Sequence, residues 1–230
     1  MDEETREAVR ETIPEHFEIK DCALIAIATG ERAQTLRELR DRLEDIDPGC
    51  IYYHFWGGLL RPRFADPEFN NDFAAWARHG LHDGRTAERL AVVDPTECED
   101  IEELRREIIE VIEDRLYEDD YVPWCKHDSE FSFITSQIVV FDTGSRLENP
   151  ADLAEALPHF STSSVFYHFI DARRRTDYHL DDFSAWLYGV GGYDDLCERI
   201  AAVDPYFSSL TELRGELAEI FSKYDWKEEE

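Results

Sequence analysis

Two histidines stand out because their surroundings recur. His54 lies in Ile51-Tyr52-Tyr53-His54-Phe55 and His168 in Val165-Phe166-Tyr167-His168-Phe169, at an offset of 168 − 54 = 114. Each is followed by a second recurring segment. Asp72-Phe73-Ala74-Ala75-Trp76 returns as Asp182-Phe183-Ser184-Ala185-Trp186, at 182 − 72 = 110. A histidine beside a carboxylate can act as a general base or a metal ligand. The same pair also makes a structural contact, in which a neutral imidazole donates its ring N–H to a backbone carbonyl or a nearby Asp. The flanking Tyr53, Phe55, Tyr167 and Phe169 favour that second reading, because an imidazolium is costly to bury among aromatic rings. His54, Asp72, His168 and Asp182 are therefore the catalytic candidates, with a structural role as the favoured alternative. Asp72 and Asp182 also suit the N-cap or first turn of a helix, where the dipole favours an acid. Trp76 and Trp186 read as core residues.

Between the two segments lie arginines: Arg61 and Arg63 in the first instance, Arg173, Arg174 and Arg175 in the second. Basic clusters are unusual in a chain with 53 acidic and 24 basic residues. Guanidinium forks suit phosphate or carboxylate. Tyr53, Arg61, Arg63, Tyr167, Arg173 and Arg175 are thus candidates for binding a small anion, against the simpler expectation that the arginines pair with the surplus Asp and Glu. His79 and His82, three apart beside Asp83, would be half of a metal site, but Gly189 and Gly192 replace them in the second instance. Cys125-Lys126-His127-Asp128 has two ligand types and no second pair. The five cysteines, Cys22, Cys50, Cys98, Cys125 and Cys197, form no CxxC and read as free thiols. There is no P-loop, GxGxxG, GxSxG or HExxH. No metal and no cofactor is expected.

The elements that position these residues follow from the repeat. Glu88–Pro95 matches Glu198–Pro205 at 110, Leu104 matches Leu213 at 109, and Thr29-Gly30 and Phe17 match Thr143-Gly144 and Phe131 at 114. The order holds throughout. We read two tandem copies of one unit, 15–117 and 129–224, joined by a linker at 118–128. Each copy opens with an extended segment, Phe17–Ala28 or Phe131–Asp142. A helix follows at 36–46 or 150–157, opened by Thr35 with Glu38 or by Asn149 and Pro150. Then come a short helix carrying Tyr-His, a loop, the Asp-Phe-x-x-Trp helix at 72–79 or 182–188, and a short helix ending at Asp-Pro. Long helices at 101–116 and 210–223, opened by Asp100 with Glu103 and Ser209 with Glu212, close the copies. The fold class is α+β, helix-dominated, with a short extended segment and about five helices per copy.

The Tyr-His-Phe segment, the Asp-Phe-x-x-Trp segment and the Thr-Gly start together resemble the prokaryotic domain-of-unknown-function family 5752, over nearly the whole of each copy. That resemblance implies the fold and no activity. The family pattern often carries a second histidine two residues after the first. Here those positions are Trp56 and Ile170, which argues against a His-x-His metal pair.

The formal net charge is −29, and only Lys20, Lys126, Lys223 and Lys227 are lysines. Such a surplus opposes compaction in dilute buffer and is screened at molar salt, which points to a halophile's cytoplasm. The acidic segment Met1–Arg6 has no apolar stretch after it, against a secretory signal. No run is long enough to span a membrane. A chain without a basic face is not expected to bind nucleic acid. The expected function is a non-catalytic binding or scaffold module for a partner protein or a small anionic ligand. The alternative is an enzyme or ligand-sensing domain using the His/Asp pairs with the loop arginines on a phosphorylated small molecule.

Overall fold

Stretches of alternating and β-branched residues form two long strands, β1 (Phe17–Ala33) and β2 (Phe131–Leu147), which pair as a two-stranded sheet. A computed structural model describes residues 15–61, 68–118, 124–175 and 179–226. The strands run past the expected ends at Ala28 and Asp142, because Thr-Gly is a bend inside each strand and not its end. Gly30 and Gly144 take φ of 85° and 75°, a left-handed conformation that glycine alone adopts cheaply. The neighbouring hydroxyls hold the bend: Thr29 Oγ1 donates to the Phe133 carbonyl at 2.8 Å and Thr143 Oγ1 to that of Ile19 at 2.5 Å. Later residues of β1 face earlier residues of β2, so the pairing is antiparallel.

After β1 come α1 (Leu36–Asp45), α2 (Pro48–Trp56), α3 (Asp72–His79), α4 (Gly84–Ala91) and α5 (Ile101–Glu118). Thr35 caps α1 by accepting from the Glu38 N–H, while the Glu38 carboxylate takes the N–H of Gln34, one residue outside a standard capping box. The helix expected at 150–157 is instead a 3-10 turn (Pro150–Asp152), the short α6 (Leu153–Ala156) and a second 3-10 turn (Leu157–His159). Pro158 removes a backbone donor there. Then follow α7 (Thr162–Val165), a π-helical turn (Phe166–Asp171), α8 (Ala172–Arg175), α9 (Asp182–Val190), α10 (Asp194–Ala201) and α11 (Leu210–Ser222). Ser209 and Glu212 form the expected capping box of α11. The class is α+β and helix-dominated. No described helix is long and apolar enough to cross a membrane.

Two compact units result, and their boundaries fall inside the strands. The middle unit is Leu24–Ile138; the terminal unit combines the chain up to Ala23 with Val139–Glu230. The middle unit gathers α1–α5 around Leu36, Leu39, Leu43, Ile108 and Ile112, with Phe131 and Phe133 of β2 buried in it. The terminal unit gathers α6–α11 around Phe183, Leu213, Leu217 and Phe221, with Phe17 of β1 buried in it. Each such ring or leucine contributes about 1.5–3 kcal/mol on full burial. The compact units thus divide the chain differently from the sequence-similar segments 15–117 and 129–224. The opening of β2 belongs with helices of the first segment, and the opening of β1 with helices of the second.

Candidate functional site

In the middle unit, α2 starts at Pro48 under the Asp47 cap, and Cys50 through Trp56 are all buried. A helix apolar on every side must sit inside its unit, and this places His54 there at 3% exposure. Asp72 is the first residue of α3, next to the N-cap Asn71, whose side chain accepts from Ala74 N–H and donates to the Leu90 carbonyl. His54 Nδ1 lies 2.9 Å from Asp72 Oδ2. On the other side of the ring, Nε2 accepts the backbone N–H of Ile134, from β2, at 3.1 Å. An acceptor at Nε2 fixes the proton on Nδ1, which therefore donates to Asp72. The ring of Phe131 packs at 4.7 Å. Arg61 lies over the Tyr53 ring at 4.7 Å and 3.7 Å from Asp72 Oδ2. Burial holds the His54 pKa below the ordinary histidine value, against the pull of its hydrogen bond and charge contact with Asp72.

The terminal unit repeats this arrangement, at offset 110 for the aspartate and 114 for the other partners. His168 Nδ1 lies 2.7 Å from Asp182 Oδ2, and Nε2 accepts the Lys20 N–H of β1 at 2.9 Å. Phe17 packs on the ring at 4.8 Å. Arg175 lies over Tyr167 at 4.0 Å and 3.0 Å from Asp182 Oδ2. The units differ at Asp171. Asp171, 1% exposed, ends the π-helical turn and binds Arg175 Nε at 2.8 Å and Arg174 at 2.9 Å, where the middle unit has Gly57. The N-caps of α3 and α9 are Asn71 and Asp181, so Asp72 and Asp182 are first-turn acids.

This geometry constrains the chemistry. A general base needs a free lone pair, and both ring nitrogens of each histidine are engaged. A metal ligand needs the same lone pair. Among the described residues no group of three His, Cys, Asp or Glu is placed to hold a metal. The arginines expected to bind an anion face carboxylates: Arg61 meets Asp72, Arg173 meets Asp181 at 3.9 Å, and Arg175 meets Asp171 and Asp182. Arg63 lies outside the described residues. His79 sits 3.4 Å from Glu68, and His82 takes φ 57°, at the position where the second segment has Gly192 with φ 87°. Cys22, Cys50, Cys125 and Cys197 are buried. Burial pushes the Cys22 and Cys197 thiols up to about 12 and those of Cys50 and Cys98 to about 11, which makes them poor nucleophiles. The Trp76 indole donates to the Ser129 carbonyl at 2.8 Å.

Sequence reasoning missed three participants. The amides of Ile134 and Lys20 left no side-chain signal. Asp171 did leave one: a single acid closing the apolar run Phe166–Ile170.

The model of DUF5752, a family of unknown function, matches residues 14–222. Among solved structures, "The structure of OrfY from Thermoproteus tenax" is similar at 26% identity and a TM-score of 0.78, over 91% of this chain and 95% of that one. No curated protein matches.

Proposed function

Starting from a chain that belongs to the DUF5752 family of unknown function, we propose that it is a non-catalytic binding or scaffold module whose two histidine–aspartate pairs are strand latches. The observation that carries this is the double engagement of each imidazole. One nitrogen binds the aspartate at a helix start, and the other binds a backbone amide of a strand. A latch needs both bonds at once, whereas a catalytic base needs one of them open.

On this reading the chain is two tandem copies of one unit that lend each other the opening of a strand. The repeated Tyr–Arg pairs brace the aspartates by cation–π and ionic contact. The charge of −29 belongs to the solvent-facing surface and suits a salt-rich cytoplasm. The partner is a protein or a small anion, and nucleic acid is disfavoured by charge. The test is amide exchange and ligand screening on His54→Ala and His168→Ala. The latch reading expects faster exchange at Ile134 and at Lys20 respectively. Unchanged exchange, together with loss of a metal- or phosphate-dependent activity, would reverse it.

A further inference from the structure

The arginines beside the latches are engaged by carboxylates, but one arginine elsewhere in the middle unit is not. Arg37, the second residue of α1, is exposed, and its side chain makes no ion pair or hydrogen bond among the described residues. Every other described arginine meets a carboxylate or a carbonyl oxygen. In a chain with 53 acidic and 24 basic residues, a guanidinium left without an acceptor is the exception. Its helix does not require it either. The positive end of the helix dipole disfavours a cation in the first turn, and the adjacent Glu38 carboxylate is engaged by the Gln34 N–H at 2.7 Å.

Arg37 lines an open cleft of about 230 Å³ between α1 and α5, together with Arg40, Glu113, Leu116 and Tyr117. Arg40, one turn on, binds Asp41 through Nε at 2.7 Å and Glu113 through Nη1 at 2.9 Å. Its Nη2 takes no hydrogen bond among the described residues. The charges that line the cleft are two arginines and one glutamate, 2 − 1 = +1. Tyr117 is 86% exposed, an uncovered ring beside the apolar Leu116. Each feature limits the ligand. A fork of parallel N–H groups matches the edge of a carboxylate. One net positive charge suits a monoanion, whereas a phosphate dianion would face Glu113. Leu116 and the Tyr117 ring offer an apolar wall to the rest of the molecule. Ligand pockets commonly run to about 300–1,000 Å³, so this cleft admits something smaller than a nucleotide.

We propose that the α1–α5 cleft binds a small monocarboxylate with an apolar body. Arg37 holds the carboxylate, and Leu116 and Tyr117 lie along the apolar part. This gives the small-anion side of the binding reading a place and a ligand class, and it does not depend on the latches. Benzoate is the probe, titrated into the full chain at fixed ionic strength and followed by NMR. Benzyl alcohol serves as the neutral counterpart and inorganic phosphate as the more highly charged one. Benzoate should shift the amide signals of residues 36–40 and 113–117 to saturation, and bind more tightly than either comparison compound. Arg37→Gln, at an exposed and unpartnered side chain, should keep the fold and weaken benzoate binding by about tenfold or more. Arg37→Lys should weaken it less, since the charge stays and only the fork is lost. No saturation below about 0.1 M, equal binding by Arg37→Gln, or phosphate binding as tightly as benzoate would each overturn the proposal. Exchange at the Ile134 amide is read from the same samples. It is set by His54 and not by Arg37, so failure of the cleft and failure of the latch are separate results.

Discussion

Replacing His54 by alanine tests the latch most directly. The change leaves the Ile134 N–H without its acceptor at 3.1 Å. It also removes a ring packed at 4.7 Å against Phe131 and 5.3 Å against Phe73. An orphaned, part-buried amide costs about 1–3 kcal/mol, and each lost aromatic contact about 0.5–1.5 kcal/mol. Asp72 contributes less, because its side chain is 37% exposed and water replaces the lost donor. The sum is about 2–4 kcal/mol, allowing for partial collapse of the site. At 1.4 kcal/mol per factor of ten, local opening at Ile134 should rise by about 30- to 1,000-fold. Amide exchange read by NMR should show this rise along Phe131–Ile138, with a smaller change at Lys20. His168→Ala should give the mirror result, with the rise at Lys20 and the neighbouring amides of β1. Exchange at Ile134 that stays within a factor of three, or a loss of the same size at both sites from one substitution, would refute the reasoning.

Acid should weaken the middle unit through His54. Burial depresses its folded pKa, so the unfolded chain takes up the proton first. The stability that depends on the neutral ring is complete above about pH 6.5 and is lost as pH falls below it, by at most about 1.4 kcal/mol per pH unit. The buried Asp181 carboxyl is raised and acts with the opposite sign, so the measurement is the difference between the parent and His54→Ala in urea titrations from pH 7 to 5. That difference should shrink as pH drops. His82→Gly should be neutral or stabilising by up to about 1 kcal/mol, because it relieves a φ of 57°, while Gly192→Ala should cost about 1 kcal/mol; thermal melts of both decide. Circular dichroism should show loss of structure in 0.1 M KCl relative to about 3 M if screening of the −29 charge is what keeps the chain compact. Equal melting in both would sink the halophilic reading.

Helix starts were legible because capping is local. Ser209 with Glu212 forms the box that its spacing implied, and Asn149 opens a 3-10 turn with Pro150 in its first positions. The long amphipathic helices were legible for the same reason: Leu104, Ile108 and Ile112 fall on one buried face. The strand ends were misjudged, since Thr-Gly marks a turn in most contexts and only the partner strand's carbonyl turns it into a bend within a pair. Within the expected linker at 118–128, Trp124 and Cys125 make backbone contacts with Thr35 and Gln34, for which no local pattern gives a signal.

The site was half legible, and the missing half has a physical origin. The imidazole and its aspartate are 18 residues apart in the middle unit and 14 in the terminal one, close enough for the repeat to expose them. Their third partner is an amide 80 residues away for His54 and 148 for His168. A backbone amide has no residue type, so spacing cannot reveal it. Nor does apolar periodicity name the core a residue enters. Phe17 and Phe131 were matched as equivalents, yet nothing in either segment says that Phe131 packs with Phe73 and Phe17 with Phe183. This is why a histidine–aspartate pair could be read as a base from its neighbours alone. Its lone pair is lost to a strand that arrives from the other end of the sequence. On the latch reading, the Tyr-His-Phe and Asp-Phe-x-x-Trp segments recur together because the histidine of one, the aspartate of the other and a strand amide meet in a single contact in each unit.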